Sequence, residues 1–343
     1  MSKLGFPGLS KPRKSITVSN ASMVRTRELV PGQRLPLLIE PAMDRVSLSP
    51  WASAHKDEIE GYVDRHGGVL FRGFDLETVE DFNRFVDTVS SGSLRYTERT
   101  SPRSQVSGNI YTSTDYPNDH PIYLHTEQSY NLVFPQWIFF FCVTPAAEQG
   151  ETPIADCRKV LERIDPAIRE RLETEGYLYV RNFHEGMGLS WRDAFQTADK
   201  AAVESYCREN DIECEWKDDG RLQTRQRRRV VATHPRTGEK SWFNHLTFFH
   251  VSTLVPSVQE SLLGAYPEDE LPNNTFWGDG TPFAPEVLEN LRGAYEAEEL
   301  TFPWQKGDLL MLDNMLTAHG RRPFHGERKV VVGMAEPTAW ADV

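Results

Sequence analysis

The chain contains few cysteines, no long apolar run and fewer basic than acidic side chains. Its four cysteines in 343 residues include no CxxC pair. We therefore expect reduced thiols, as in a cytosolic protein, and no disulfide framework. No window approaches eighteen consecutive apolar residues, so we expect no transmembrane helix. The first fifteen residues are positively charged but have no apolar segment, which argues against a secretory signal.

Acidic side chains outnumber basic ones, 50 to 38, and the formal net charge is −12. A general nucleic-acid binder needs a basic surface to displace counterions, so this balance argues against a nucleic-acid partner. The strongly basic run RQRRR at 225–229 has no aromatic residues beside it for stacking on bases. We interpret it as a solvated loop or helix end.

Aromatic side chains are plentiful, with 18 Phe, 11 Tyr and 8 Trp available for a core. Short apolar segments separated by Gly, Pro and Asp predict antiparallel strands. These strands span 37–39, 69–71, 109–114, 122–129, 136–144, 151–155, 178–182, 230–233, 241–244, 300–302, 308–312 and 329–334. Helical spacing of apolar residues predicts helices at 49–66, 77–89, 158–163, 166–175, 257–266 and 285–298. The predicted fold is mixed and mainly β, with helices packed outside the core and inserted between strands.

The order of these elements fits one mixed domain better than two independent ones, and we find no internal repeat. We expect a single domain at residues 41–343, preceded by an N-terminal arm at 1–40 that is rich in Ser, Pro, Arg and Lys. A polar and largely helical stretch at about 184–228 predicts an insertion or a lid.

The strongest local feature is the sequence YLHTE, which contains His125 and Glu127. In a strand, residues i and i+2 point to the same face, so this pair would present one imidazole and one carboxylate side by side. The pair alone is weak evidence for a metal, since a polar strand face has the same pattern. A third ligand must come from elsewhere, and the C-terminal segment offers His319.

Two histidines and one carboxylate form the facial triad of non-haem iron(II) oxygenases, which leaves three coordination positions open. Zinc hydrolases use the same ligand types, but they commonly place both histidines on one helix, as in HExxH, and this sequence has no such motif. Nine positions beyond His319 lies Arg328, whose planar fork suits the far carboxylate of a dicarboxylate co-substrate. An exposed arginine that opens a strand is the alternative interpretation.

Several segments resemble the taurine dioxygenase-like (TauD/TfdA) family of iron(II)- and 2-oxoglutarate-dependent dioxygenases. The most specific are HTE, GETPIAD and LDNMLTAHGRRPFHGERKVVV. The segments HGGVLFRGF, NIYTSTDYP and THPRTGEKSWFNH are similar to the same family. The resemblance runs from about residue 40 to the end of the sequence.

This resemblance implies a double-stranded β-helix (jelly-roll) core and the cofactors of the family, iron(II), 2-oxoglutarate and O2. The metal ligands fall on His125, Glu127 and His319. Thr152 and Arg328 fall on the positions that hold 2-oxoglutarate. Halogenating relatives carry Ala or Gly at the carboxylate position, so a glutamate there favours hydroxylation.

The resemblance also bears on the substrate. Some relatives carry a second arginine four positions after the 2-oxoglutarate arginine; here that residue is Val332, which puts an anchored substrate carboxylate or sulfonate in doubt. The motifs resemble amino-acid hydroxylases of natural-product pathways, so we expect an amino acid or an amino-acid-derived intermediate, free or carrier-bound. Candidate substrate contacts are Tyr111, Ser129, Asn244 and His245.

Four alternatives stay open at this point. A catabolic oxygenase of a small sulfonate or similar anion would use the same centre, as would a desaturase or cyclase. A zinc hydrolase with the same ligands leaves Thr152 and Arg328 unexplained. A non-catalytic jelly-roll module for sensing or assembly would tolerate loss of a ligand, yet all five ligand and co-substrate positions are filled. The sequence leaves a homo-oligomer possible.

Overall fold

The computed structural model describes residues 23–92, 105–107, 110–112, 116–184 and 186–343. Within these residues, the helices are α1 Leu48–Ala54, α2 Lys56–His66, α3 Val79–Val89, α4 Cys157–Arg163, α5 Pro166–Glu175, α6 Trp191–Phe195, α7 Lys200–Glu209, α8 Leu246–Phe249, α9 Pro256–Ala265 and α10 Pro285–Glu298. Short 3-10 segments lie at Val251–Thr253, Glu268–Glu270 and Trp340–Asp342. None of the described helices is both long enough and apolar enough to cross a membrane.

The strands of the described residues form five sheets. They are β1 Val24–Glu28, β2 Leu37–Pro41, β3 Gly68–Phe71, β4 Gln105–Ser107, β5 Ile110–Thr112, β6 Ile122–His125, β7 Val133–Thr144, β8 Glu148–Gln149, β9 Ile154–Asp156, β10 Tyr177–Phe183, β11 Glu213–Trp216, β12 Leu222–Arg228, β13 Val231–Thr233, β14 Lys240–Trp242, β15 Asn273–Trp277, β16 Leu309–Asp313, β17 Thr317–Arg321, β18 Phe324–His325 and β19 Lys329–Ala339.

The largest sheet has eight strands in the order β1-β2-β3-β16-β7-β19-β5-β4. Its pairs are antiparallel except β2 with β3. Successive side chains of a strand face opposite sides of the sheet. The central strand β7 therefore contributes side chains to two different core clusters. Phe139 and Phe141 face a core cluster that also contains residues of α1, α2 and α3. Ile138 and Phe140 face the other side, towards a second cluster.

A three-stranded sheet, β6-β17-β9, lies across that other side of the large sheet. Ile154 of β9 shares a buried cluster with Phe140 and Leu310 of the large sheet. The cavity that holds the candidate site lies between these two sheets, and its walls are apolar where β7 and β19 supply them.

A third region surrounds the four-stranded sheet β11-β12-β10-β15. Its core cluster joins β10 and β15 to α4, α8 and α10. The basic run lies here, and its interpretation as a solvated loop or helix end is wrong for 225–228, which belong to β12. Arg228 is buried because its guanidinium donates to the carbonyl oxygens of Tyr130, at 2.6 Å, and Asn210, at 2.8 Å.

Other predicted boundaries also need correction. The helix expected at 49–66 is two helices, α1 and α2, because the chain leaves helical geometry at His55, with φ −128° and ψ 26°. The ring of His55 stacks on Trp51 at a centroid distance of 4.7 Å, which stabilises this break. The strand expected at 300–302 is a single bridge from Leu300 to Ile154.

The predicted division into arm, domain and lid stays a prediction. Residues 24–28 and 37–41, at the end of the expected arm, supply β1 and β2 of the large sheet, while 1–22 lie outside the described residues. The expected insertion at 184–228 contains α6 and α7, and it ends in β11 and β12 of the four-stranded sheet. Residues 109 and 113–114 of one predicted strand lie outside the described residues.

Candidate active site

Two histidines that are far apart in sequence become neighbours through strand pairing. In the antiparallel pair of β17 and β6, His319 lies opposite His125. Side chains opposite each other in such a pair project from the same face, and the two ring centroids are 4.5 Å apart. Gly320 allows this approach, because a Cβ at that position would lie 2.5 Å from the carbonyl oxygen of Ile122.

Glu127 reaches the histidines from a turn rather than from a strand. The expected strand 122–129 is wrong beyond His125, where β6 ends. Glu127 opens a turn in which Gln128 has a φ of +54°. Its Oε2 lies 3.8 Å from Nε2 of His319, and one donor atom from each of the three residues lies within 4.8 Å of the others.

Hydrogen bonds orient two of these groups. Nδ1 of His125 donates to the carbonyl oxygen of Tyr123 at 2.8 Å, which places the lone pair of the neutral ring on Nε2. Asn314 holds the backbone of Glu127 from both sides. Its Oδ1 accepts from the Glu127 N–H at 2.7 Å, and its Nδ2 donates to the Glu127 carbonyl oxygen at 2.9 Å.

The three side chains are almost fully buried and face one cavity. Two imidazole nitrogens and one carboxylate oxygen fit a divalent transition metal and leave coordination positions open. The other residues that line the cavity are Ile122, Ile138, Phe140, Thr152, Gly320, Arg321, Arg328, Val330 and Val332. Both residues that the sequence assigns to 2-oxoglutarate are among them.

Arg328 lies beside Thr152 in this cavity. Its Nε donates to the carbonyl oxygen of Gly150 at 2.8 Å, and its Nη2 lies 3.5 Å from Oγ1 of Thr152. Burial, and then the neighbouring Arg321, lower the pKa of Arg328 to about 10. The guanidinium therefore stays charged at neutral pH, in a place where an anion would relieve the cost of its burial.

Arg321 is a second cation of this cavity, and it is buried. Sequence reasoning missed it. It lies two positions after His319 in β17, so the spacing on one strand face could have indicated it. Its guanidinium donates to the carbonyl oxygens of Tyr116 and Pro117, at 3.1 and 2.6 Å. Within the described part of the chain, neither Arg321 nor Arg328 has a carboxylate within 4 Å. The cavity is therefore suited to an anionic ligand.

The four candidate substrate residues divide into two groups. Ser129 and His245 form a buried pair, with 2.7 Å between Oγ and Nδ1. Asn244 holds its own loop, since Nδ2 donates to the Val230 carbonyl oxygen and Oδ1 accepts from the Leu246 N–H. None of these three lines the cavity in the described residues.

Tyr111 forms the second group. It lies opposite Val332 in the pairing of β5 with β19 and packs against the cluster on the cavity side of the large sheet. His245 does not line the cavity within the described residues, but it lies close to His125, with 5.4 Å between the two ring centroids.

Comparison with known proteins identifies the family. Residues 26–334 match the taurine catabolism dioxygenase TauD, TfdA family, and the chain belongs to this family. The chain is 39% identical over 311 residues to the dapdiamide synthesis protein DdaC of Enterobacter agglomerans, covering 91% of this chain and 94% of that protein. It is 29% identical to a clavaminate synthase-like protein of Arabidopsis thaliana over 326 residues, 89% of this chain and 92% of that protein.

Solved structures show the same fold. PvcB of Pseudomonas aeruginosa, an Fe, alpha-ketoglutarate dependent oxygenase from an isonitrile synthetic pathway, superposes with a TM-score of 0.52 at 17% identity, covering 91% of this chain and 90% of that one. AAD-2, solved with Mn(II) and N-oxalylglycine, gives a TM-score of 0.52 at 15% identity, covering 92% and 98%.

These comparisons confirm several predictions. The fold is the double-stranded β-helix of this family, built here from antiparallel sheets together with helices. The protein is a dioxygenase of the family, with iron(II) as its metal and 2-oxoglutarate and O2 as co-substrates. Its substrate is a small molecule.

Proposed function

We propose that His125, Glu127 and His319 hold iron(II), and that Arg328 and Thr152 hold the distal carboxylate of 2-oxoglutarate. The observation that supports this proposal most is the set of side chains that line one cavity. The three side chains of the candidate metal site lie together. Within the described residues, neither the buried guanidinium of Arg321 nor the partly buried one of Arg328 has a carboxylate partner. An anionic chelator would satisfy both features.

The protein residues position the reactants and exclude water. When bound there, iron(II) with 2-oxoglutarate and O2 would supply the oxidising power of the reaction, whose by-products are succinate and CO2. Arg328 stays cationic at neutral pH, as its pKa of about 10 requires, and so attracts the distal carboxylate. The apolar side chains of Ile138, Phe140 and Val330 keep the cavity dry, which strengthens this attraction.

We propose that the reaction is hydroxylation of an unactivated C–H bond in an amino acid or an amino-acid-derived natural-product intermediate. The similarity to DdaC, a dapdiamide synthesis protein, supports a natural-product substrate. Glu127 supports hydroxylation rather than halogenation, because it occupies the carboxylate position of the triad. Val332 lines the cavity and offers no charge there, so we propose that β19 anchors no anionic head group of the substrate.

The decisive test measures succinate formed from 2-oxoglutarate with iron(II), ascorbate and O2. We expect slow uncoupled turnover by the full chain and faster turnover with the correct substrate. A panel of amino acids, free and carrier-bound, with small sulfonates as comparison, identifies the substrate class. Absence of succinate under every condition would contradict the proposal.

Substitutions test which residues bind the metal and which bind 2-oxoglutarate. We expect His125→Ala to abolish succinate formation and Arg328→Met to weaken 2-oxoglutarate binding by roughly 100-fold, because it removes a bidentate charged partner. Arg322→Met is the matched control, since Arg322 is half-exposed and pairs with Glu299 outside the cavity. Equal binding by the Arg328 and Arg322 variants would reject the assignment of Arg328.

A further inference from the structure

Thr152 is held by a tryptophan that neither the motifs nor the metal site include. Nε1 of Trp304 lies 3.1 Å from Oγ1 of Thr152, across 152 positions of sequence. Both residues are almost fully buried, and Thr152 lines the cavity. An indole N–H is only ever a donor, so the threonine oxygen must accept this bond.

A second donor faces the same oxygen. Nη2 of Arg328 lies 3.5 Å from Oγ1 of Thr152, and a guanidinium also only donates. A hydroxyl has two acceptor sites and one proton. With both acceptor sites directed at Trp304 and Arg328, the proton of Thr152 must point away from them, and no acceptor for it lies within hydrogen-bond distance among the described residues.

The loop that carries Trp304 is fixed to the large sheet. The carboxylate of Asp308 accepts hydrogen bonds from Nε and Nη2 of Arg72, at 2.9 and 2.6 Å. It also accepts one from the Gln305 N–H at 2.8 Å. The ring of Trp304 packs on that of Phe302 at a centroid distance of 5.5 Å. The indole therefore approaches Thr152 in a set direction before any ligand binds.

We infer that Trp304 sets the direction of the Thr152 hydroxyl, so that this group donates its proton to the distal carboxylate of 2-oxoglutarate beside Arg328. The inference rests on the proposed function. Trp304 is a positioning residue, since it acts on the co-substrate only through Thr152. Because the Thr152 hydroxyl is already oriented, it can donate a charge-assisted hydrogen bond to the carboxylate without first breaking a hydrogen bond to another acceptor.

The test measures binding rather than turnover. The full chain loaded with Mn(II) is titrated with 2-oxoglutarate by calorimetry, and then with 2-oxopentanoate, which keeps the chelating end and lacks the distal carboxylate. Trp304→Phe retains an aromatic ring and removes the N–H. We expect roughly five- to tenfold weaker binding of 2-oxoglutarate and unchanged binding of 2-oxopentanoate.

A double-mutant cycle separates positioning from packing. We expect Thr152→Val to weaken 2-oxoglutarate binding more than Trp304→Phe, and the double variant to bind about as Thr152→Val does. In a Thr152→Ser background, which keeps the hydroxyl, the effect of Trp304→Phe should return. Trp191→Phe is the matched control, because Trp191 is also buried, in a cluster away from the cavity.

Three results would overturn the inference: unchanged 2-oxoglutarate binding by Trp304→Phe, equal losses for both 2-oxo acids, or additive losses in the double variant. Thermal unfolding of each variant confirms that it is folded at the titration temperature. Failure of the unsubstituted chain to bind 2-oxoglutarate would instead contradict the proposed function. The two failures are therefore distinguishable.

Discussion

Two clusters in this chain have similar side chains but differ in the hydrogen bonds that those side chains form. In each cluster, one donor atom from every residue lies within 4.8 Å of the others. The first cluster consists of His125, Glu127 and His319, and the second consists of Asp64, His234 and Asp313. Residue type and distance alone would make both of them metal sites.

The second cluster is already satisfied by protein donors. Oδ1 of Asp313 accepts from the N–H groups of Met315 and Leu316, and its Oδ2 accepts from Gln136 at 2.7 Å. Nδ1 of His234 accepts from the Thr237 N–H at 3.1 Å, so Nε2 carries the proton and donates to Asp313 at 3.0 Å. A metal would have to displace these bonds.

The histidine tautomers differ in the same way. In the first cluster, Nδ1 of His125 carries the proton, because it donates to a carbonyl oxygen, and the lone pair of the ring therefore lies on Nε2. In the second cluster, Nε2 of His234 carries the proton and Nδ1 is occupied. The hydrogen-bond partners of a histidine, more than its neighbours' identities, therefore decide whether it can bind a metal.

The largest expected effect concerns the first cluster. We expect His319→Ala to weaken Mn(II) binding by at least about 100-fold, more than loss of an outer partner costs. His234→Gln should leave Mn(II) affinity within a few-fold of the unsubstituted chain. Calorimetric titration with Mn(II) measures both variants. Strong loss of Mn(II) binding by the His234 variant would make the second cluster part of a metal site.

The second prediction concerns the stability of the second cluster. Asp313→Asn removes the charge and turns an amide donor towards two existing donors, so we expect about 3 kcal/mol less free energy of unfolding. Urea denaturation measures this loss, and Mn(II) affinity of the folded protein should fall less than tenfold. The control is Asp279→Asn, a half-exposed partner of Arg171 that should cost little. Unchanged stability of the Asp313 variant would contradict the structural role.

The sequence predicted much of the first cluster and little of what supports it. Five residues that strand spacing and family motifs indicated line one cavity: His125, Glu127, Thr152, His319 and Arg328. Their supports depend on contacts between distant segments. Asn314 binds the Glu127 backbone across 187 positions, and no local pattern indicates such a bond.

Prediction of the fold from the sequence is limited in the same way, by contacts between distant segments. The apolar strands β7, β16 and β19 were predictable because their side chains are buried on both faces. The strand β12, with sequence LQTRQRR, was missed because charged residues usually indicate solvent. The burial of Arg228 depends in part on backbone carbonyl oxygens of other segments, which accept hydrogen bonds from its guanidinium.

The third prediction tests whether the first cluster also depends on protein hydrogen bonds. Asn314→Ala removes both bonds to the backbone of Glu127, so the carboxylate loses its fixed position. We expect roughly tenfold weaker Mn(II) binding, the size of effect that outer partners of a metal ligand show. Asn83→Ala is the control, because Asn83 is a partly exposed residue of α3 that bonds Asp87. Equal Mn(II) affinities of the two variants would show that the turn holds Glu127 without Asn314.

The smallest effect concerns a buried histidine outside both clusters, His250, which bonds Ser252 and lies near the positive charge of Arg292. Burial, and then the charge of Arg292, lower its pKa to about 4. The unfolded chain takes up a proton near pH 6.5 and the folded chain does not, so this contribution to stability is complete above pH 6.5 and is lost as pH falls towards 4. Between pH 7 and pH 6 the loss is about 0.7 kcal/mol.

His250→Asn should remove this part of the pH dependence, which urea denaturation at several pH values measures as a shallower slope than that of the unsubstituted chain. His325→Gln serves as the control, since His325 is exposed and should leave the slope unchanged. Equal slopes for the His250 variant and the unsubstituted chain would mean that His250 accepts a proton in the folded state. A group that offsets the positive charge of Arg292 would then stabilise the protonated form of His250 in the folded chain. Burial next to a cation would in that case not keep this histidine neutral.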